Sequence, residues 1–395
     1  MSRPASHLIF ILAAIVALGP LSIDLYLPAM PSMVVFFDTS LSQVQLTLSS
    51  YLLGFAVFHL ICGPLSDRYG RKPVLLAGLA LYVLMSAFCA MAVTIEQLVI
   101  YRFFQAMGAC CAPTLGRAIV RDIYPPQDAV KALAYVSSLM ALAPVIAPSL
   151  GGVLVIVGDW RLAFWVLVFF GLVAMVLTVF CVPESLPQKQ TLKPSNIAGN
   201  YLSLLRHKQY IGSVLTSACL YSGAFAFLSG ASFVLIDFMG VNPLFFGLYF
   251  LFIVAGYIIG NLFTARIAHA WRPANLFKTG IAVSFFPSLL MVGFCYWQWY
   301  YPILMVIPVL FVTMGIGLVL PQAMAVALKP FPHMAATASA LMGFLQMSVA
   351  GLAGLLVGIF LVDEPMPMAL VIMGTATSAG VCYFLLLRGQ LQEQS

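Results

Sequence analysis

The residue types that could do chemistry begin with one acid. Asp24 stands in the run Gly19-Pro20-Leu21-Ser22-Ile23-Asp24-Leu25-Tyr26-Leu27-Pro28, inside an apolar stretch from Leu8 to Met30. About 20 apolar residues cross a bilayer core as a helix, so the acid is predicted to lie within the membrane. A charge there costs roughly 2.5–3.5 kcal/mol on insertion scales and needs a partner, a water-filled cavity or a proton. A titratable site is one reading, and an interfacial cap near the helix end is the other. Arg102 offers the complementary charge. If the first span rises outward and the fourth descends, Asp24 and Arg102 both sit roughly 8–9 Å inside the outer boundary at 1.5 Å per residue. Gln105, three residues on, shares the helix face of Arg102 and could hydrogen-bond either group. The expected proton-coupling set is Asp24, Arg102 and Gln105. A permanent structural ion pair between spans one and four is the alternative.

A second constellation lies at the opposite side of the membrane. The stretch Gly63-Pro64-Leu65-Ser66-Asp67-Arg68-Tyr69-Gly70-Arg71-Lys72-Pro73 reads as a cytoplasmic loop after span two. Asp67 and Arg71 are spaced i, i+4, and Asp122 ends span four on the same side. An Asp–Arg–Asp cluster of this kind could latch the two halves of a moving protein in one state and release in the other. Gly63, Asp67, Arg68, Gly70, Arg71, Lys72 and Asp122 are the candidate latch residues. The excess of basic residues on the inner side explains the Arg and Lys, but not Asp67 or the glycines.

A third group suits a plastic pocket for apolar ligands. Span seven carries Ser213, Thr216, Ser217, Ser222, Ser229 and Ser232 among Tyr221, Phe225 and Phe227, and Tyr26, Tyr51, Tyr101 and Tyr249 lie in other spans. Aromatic surfaces can repack around dissimilar ligands. The candidate pocket residues are Tyr26, Tyr51, Tyr101, Ser217, Tyr221, Phe225 and Tyr249, although helix packing or lipid contact accounts for any single ring. His59 reads as a packed polar residue rather than a relay.

The elements that must hold these residues follow from composition. Of 395 residues, 63% are hydrophobic and 8% charged, whereas a soluble domain averages about 45–50% apolar and about 25% charged. The chain is therefore expected to be an all-α membrane protein. Twelve spans are predicted near 8–30, 42–64, 73–93, 97–118, 131–157, 162–182, 210–237, 244–266, 275–295, 301–328, 334–361 and 366–387. The longest polar connection, Pro183 to Gln209, divides them into an N-terminal six-helix bundle (1–183), a cytoplasmic linker (184–209) and a C-terminal six-helix bundle (210–395). Asn261 to Arg266 with Arg272-Pro273 faintly repeats the loop after span two, as a duplicated transporter would. With the N-terminus inside, all lysines and arginines except Arg102 and Arg161 fall on the cytoplasmic side, Lys189 and Lys193 among them. Asp38, Glu96, Asp159, Asp363 and Glu364 fall outside, so both termini are expected in the cytoplasm. The net charge of +6 thus follows topology and is no nucleic-acid footprint.

Other classes drop out. The eight cysteines all lie in apolar segments without CxxC or Cys/His ligand spacing and read as small hydrophobes. The first apolar run is too long for a signal peptide and reads as a retained helix. No phosphate-binding loop, H-E-x-x-H or G-x-S-x-G occurs, so no enzyme and no ATP-driven pump is expected. An ion gradient, or the substrate's own, must supply the energy.

Four segments resemble a known family. Asp24-Leu25-Tyr26-Leu27-Pro28-Ala29-Met30-Pro31 is similar to a D-M-Y-L-P-A-L-P motif of helix one. Gly63 to Pro73 is similar to the cytoplasmic loop motif of the major facilitator superfamily. Arg102-Phe103-Phe104-Gln105 with Gly108 is similar to R-x-x-Q-G of helix four. Ala143-Pro144-Val145-Ile146-Ala147-Pro148-Ser149-Leu150-Gly151-Gly152 is similar to the antiporter motif of helix five. Over essentially its whole length the chain resembles that superfamily, and within it the Bcr/CflA drug:proton antiporters. The resemblance implies two pseudo-symmetric six-helix bundles and alternating access. It implies export of small hydrophobic or amphipathic compounds across the inner membrane against inward proton flow. It assigns proton binding to Asp24, coupling to Arg102, the latch to Asp67, Arg71 and Asp122, and the antiporter motif to Pro144, Pro148, Gly151 and Gly152. Ala143 and Ala147 replace glycines of that motif, and Ala106 stands where helix four often has Gly. The region Ile15-Val16-Ala17, where some related exporters carry a second acid, is apolar here. The expected partners are a small-molecule substrate, protons and the bilayer, with no nucleic acid and no cofactor, and the chain is expected to act as a monomer. An importer or metabolite facilitator for amino acids or nucleosides on the same fold is the alternative.

Overall fold

In a bilayer every backbone N–H and C=O must be satisfied within the chain, so long apolar runs fold as helices. The computed structural model describes residues 6–186, 194–267, 270–331, 334–361 and 364–392. Lys189, Lys193 and Asp363 lie outside the described residues. Among those described, eleven helices are long and apolar enough to cross a membrane. In chain order, spans one to four are Leu8–Phe36, Leu41–Tyr69, Arg71–Ala90 and Ile95–Ile123. Span five is Pro126–Val157, whose apolar part is Leu142–Val157. Spans six to nine are Arg161–Cys181, Lys208–Phe238, Pro243–Ile267 and Pro273–Tyr296, and spans ten to twelve are Pro302–Leu328, Ala335–Phe360 and Met366–Leu391. A separate helix, Pro194–Arg206, precedes span seven. Among the described residues the architecture is all-helical as expected, with eleven such helices and the shorter apolar helix Leu142–Val157 in the place of the twelfth expected span.

The first span runs past its expected end at Met30 to Phe36, and it is not one helix. It consists of Ser6–Val16, Leu18–Asp24, a 3-10 turn at Leu27–Ala29 and Met30–Phe36. Prolines at 20, 28 and 31 explain the segmentation, because each lacks the N–H that a continuous ladder needs. Asp24 is the last residue of the second segment. The Leu21 carbonyl still accepts the Leu25 N–H at 3.0 Å, whereas the Asp24 carbonyl loses its regular donor because residue 28 is a proline.

The chain divides into two compact units: Met1–Thr39 with Ser50–Lys193, and Ser40–Ser49 with Pro194–Ser395. In the first unit, spans three and four pack closely because both are notched by glycine. A Cβ on Gly108 would sit 2.5 Å from the Gly78 carbonyl oxygen and 2.6 Å from the Tyr82 nitrogen. That contact sets Tyr82 and Ser86 against Arg102 and Gln105. In the second unit, the start of span two is tied to span seven, with Gln45 Nε2 donating to the Ser229 carbonyl at 2.9 Å.

The stretch from Gly63 to Pro73 differs from the expected loop. Span two stays helical to Tyr69 and span three starts at Arg71, so the connection is Gly70 alone. Gly70 has φ +108° and ψ 153°, a conformation essentially confined to glycine. One residue in that conformation reverses the chain, in place of a longer loop.

Candidate functional site

Asp24 is buried to 2% exposure. Its Oδ1 has no hydrogen-bond partner, and the carboxyl forms no ion pair among the described residues. The expected pairing with Arg102 is therefore corrected: the two residues share a depth, yet the guanidinium is engaged elsewhere. Arg102 Nη1 donates to the Ser22 carbonyl at 3.0 Å and to Gln105 Oε1 at 2.7 Å. Its guanidinium carbon lies 4.3 Å from the ring centre of Tyr26 and 4.2 Å from that of Tyr51, with Phe164 of span six at 5.7 Å. A desolvated cation held against aromatic faces gains about 2 kcal/mol or more. The Ser22 carbonyl, Gln105 and the two tyrosine rings decide where the guanidinium rests. Nε and Nη2 are left without partners. Thus an acid and a base, each incompletely satisfied, occupy one layer of the first unit.

The antiporter-motif residues of span five back this layer. Gly151 packs against the Leu25 carbonyl and the Pro28 ring, beside Asp24 in sequence. Pro148 and Gly152 are buried, and Pro144 is half-buried within the helix. Tyr101 is corrected out of the set. It is half-buried and stacks with Phe88 of span three at 5.4 Å, on another face of span four from Arg102.

The remaining pocket candidates belong to the second unit. Tyr221 and Phe225 form one aromatic pair at 5.1 Å. Ser217 Oγ donates to the Val214 carbonyl at 2.9 Å and accepts from Gln346 Nε2 of span eleven at 3.3 Å. Other hydroxyls of span seven turn back on their own helix: Ser213 to Gln209, Thr216 to Gly212, Ser222 to Cys219. Such local bonds satisfy a buried hydroxyl cheaply, whereas Gln346, which sequence reasoning missed, crosses from span eleven to Ser217 of span seven. Tyr249 is half-buried and stacks on no ring among the described residues.

Where spans two and four end, the Asp–Arg–Asp cluster is formed. Arg71 Nη1 contacts Asp67 at 2.6 Å and Arg71 Nε contacts Asp122 at 3.1 Å, while Nη1 also donates to Ser66 Oγ at 2.6 Å. Two residues from the end of span six complete it. Ser185 Oγ donates to Asp122 Oδ2 at 3.1 Å. Glu184 accepts the backbone N–H of Arg71 at 2.9 Å and of Lys72 at 3.2 Å, capping span three. It also accepts from the backbones of Ser185 and Leu186. Partial burial works to raise the Glu184 pKa, but these four N–H groups outweigh it and hold the carboxyl below its ordinary value. Lys72 Nζ donates to the Val179 carbonyl at 2.8 Å, where a cation complements a helix C-terminus. All these partners belong to the first unit. Two proposed latch members stand apart. Arg68 is exposed over the Tyr69 ring at 5.1 Å, and a Cβ on Gly63 would meet nothing within 4 Å. Glu184 and Ser185 carried no sequence signal, since they lie far along the chain from the residues they hold.

Eleven helices long and apolar enough to cross a membrane, a shorter twelfth and a buried acid in a broken helix fit a multi-pass membrane transporter rather than an enzyme. Residues 12–355 match the family described as Major Facilitator Superfamily, and the chain belongs to that family. It is 31% identical over 394 residues to the uncharacterized MFS-type transporter YdgK of Bacillus subtilis, covering 98% of this chain and 97% of that one. It is 29% identical over 409 residues to a bicyclomycin resistance protein homolog of Haemophilus influenzae, covering 100% of both. It is 31% identical over 229 residues to the multidrug resistance protein MdtL of Escherichia coli, covering 58% of each. Among solved structures the fold resembles the POT family transporter PepTSo, at TM-score 0.75, 15% identity and full coverage of both chains. A bacterial homolog of the human lysosomal transporter Spinster gives TM-score 0.74 at 17% identity, covering 98% of each chain. The substrate of such a transporter is a small molecule, and the bilayer is its solvent.

Proposed function

We propose that this chain is a proton-coupled antiporter that exports small hydrophobic or amphipathic compounds, drugs among them, across the inner membrane by alternating access. The observation that carries the reading is Asp24, a carboxyl buried in the first span with an oxygen that no donor satisfies. An unpaired buried carboxylate is costly, and binding a proton removes its charge. A proton taken from one aqueous face and given to the other would then drive the return of the empty carrier. Arg102 is the cation of the same layer, held off the acid by the Ser22 carbonyl and Gln105. The relatives named for bicyclomycin and multidrug resistance support export as the direction. No cofactor enters this scheme, the protein acts as a monomer, and both termini face the cytoplasm in keeping with the distribution of Lys and Arg.

The test is proton release in inverted vesicles. With the protein expressed in an efflux-deficient host, a panel of antibiotics beginning with bicyclomycin is added to energised vesicles. Wild-type vesicles should lose protons on addition of a substrate, and Asp24→Asn vesicles should not, with equal protein in the membrane. Undiminished release by Asp24→Asn would refute the assignment. Accumulation in right-side-out vesicles instead of inverted ones would make the protein an importer.

A further inference from the structure

Arg102 is anchored by more than Gln105. Ser22 Oγ donates its single proton to the Leu18 carbonyl at 2.6 Å, so the 2.7 Å contact between Ser22 Oγ and Tyr82 OH must have the tyrosine as donor. Ser86 Oγ likewise gives its proton to the Tyr82 carbonyl at 2.6 Å, and accepts from Gln105 Nε2 at 2.7 Å. That contact turns Gln105 Oε1 toward Arg102, which can only donate. The other Nη1 proton goes to the Ser22 carbonyl, which closes the ring. Arg102, Gln105, Ser86, Tyr82 and Ser22 therefore form one circuit across spans four, three and one, in which every hydroxyl proton is committed. All five are buried at 0% exposure. The circuit leaves the Nε and Nη2 donors of Arg102 and the Oδ1 acceptor of Asp24 all unused.

From this geometry we infer that Tyr82 and Ser86 are positioning residues that hold Arg102 away from Asp24, keeping the acid unpaired and able to take a proton. The inference rests on the reading of Asp24 as the proton site. Loosening the circuit frees the guanidinium to turn its unused donors onto the carboxylate. The other titratable groups facing this layer are Tyr26 on span one, Tyr51 on span two, Cys89 on span three and Cys110 on span four. Span six contributes the Phe164 ring and span five the backbone around Gly151. Arg102 is the cation among them, so its position governs the charge that Asp24 experiences.

Infrared titration of the purified full chain reads this without a transported substrate. The carbonyl band of the protonated acid is assigned to Asp24 by its loss in Asp24→Asn. An opposite charge brought within about 4–6 Å moves a carboxyl titration by about 1–3 units. Tyr82→Phe and Ser86→Ala should therefore shift the midpoint of that band to lower pH by at least tenfold in proton concentration. Ser86→Thr, which keeps the hydroxyl, should leave it in place. Wild-type midpoints in both Tyr82→Phe and Ser86→Ala would overturn the inference while leaving Asp24 as the proton site. A band that persists in Asp24→Asn would overturn the proton-site reading itself, and the inference with it. If Tyr82→Phe does not fold, Ser86→Ala decides the matter.

Discussion

Replacing Gly70 by alanine tests the reversal between spans two and three in a way that can be worked from geometry. The residue sits at φ +108° and ψ 153°, where a non-glycine backbone costs about 1–3 kcal/mol. The new Cβ would stand 2.5 Å from Glu184 Oε2 and 3.2 Å from its carboxyl carbon. Glu184 must then shift, weakening its bonds to the backbones of Arg71 and Lys72. A charged hydrogen bond contributes about 1.5–3 kcal/mol when buried, and much less at this exposed position. The sum is about 1–4 kcal/mol, most of it backbone strain. Unfolding of wild type, Gly70→Ala, Glu184→Gln and the double variant in detergent forms a double-mutant cycle. Strain alone predicts additive losses, whereas displacement of Glu184 predicts that Gly70→Ala costs less once the carboxylate is gone. A Gly70→Ala protein within about 0.5 kcal/mol of wild type, the level of an ordinary surface substitution, would refute the whole account of the turn.

Two further outcomes follow from the same structure. The folded-state pKa of Glu184 is depressed, so its contribution is present above the unfolded value of about 4.3 and is lost as pH falls through the folded value. Melting temperatures of wild type and Glu184→Gln should thus differ at pH 7 and converge once the pH has fallen through that depressed folded value, and a gap that widens with acid would contradict this. Gly151→Leu should drive a side chain into the Leu25 carbonyl and the Pro28 ring. It is expected to abolish export of any substrate found in the vesicle screen while the protein still reaches the membrane, and normal export would show that span five does not brace the acid-bearing turn.

The crossings are legible because insertion into a bilayer depends on the apolar character of about 20 consecutive residues, which local sequence displays directly. Their ends are less so. The prolines at 28 and 31 suggest that span one stops there, but in a bundle proline breaks the hydrogen-bond ladder without ending the crossing. The stretch from Gly63 to Pro73 resembles a loop because glycine and proline usually mark one, while its Pro64 is accommodated inside a helix. The common depth of Asp24 and Arg102 can be counted in residues. Their lack of contact cannot, because it depends on two tyrosine rings and a carbonyl that come from other turns and other spans. Tyr82 and Ser86 are ordinary members of an apolar helix by sequence, and only packing at Gly78 and Gly108 sets them against Arg102. Glu184 and Ser185 escape notice for a related reason, being distant in the chain from the turn they secure.

The aromatic cradle of Arg102 has an electrical consequence. Tyrosine faces and carbonyl dipoles solvate a guanidinium but carry no counter-charge, so if Asp24 binds a proton as proposed, this layer is a net monocation buried in the protein. A full elementary charge crossing the membrane field exchanges about 2.3 kcal/mol per 100 mV. Any displacement of the layer along the membrane normal therefore performs electrical work in proportion to the fraction of the field it traverses, making the transmembrane voltage, and not the pH difference alone, a force on the protein.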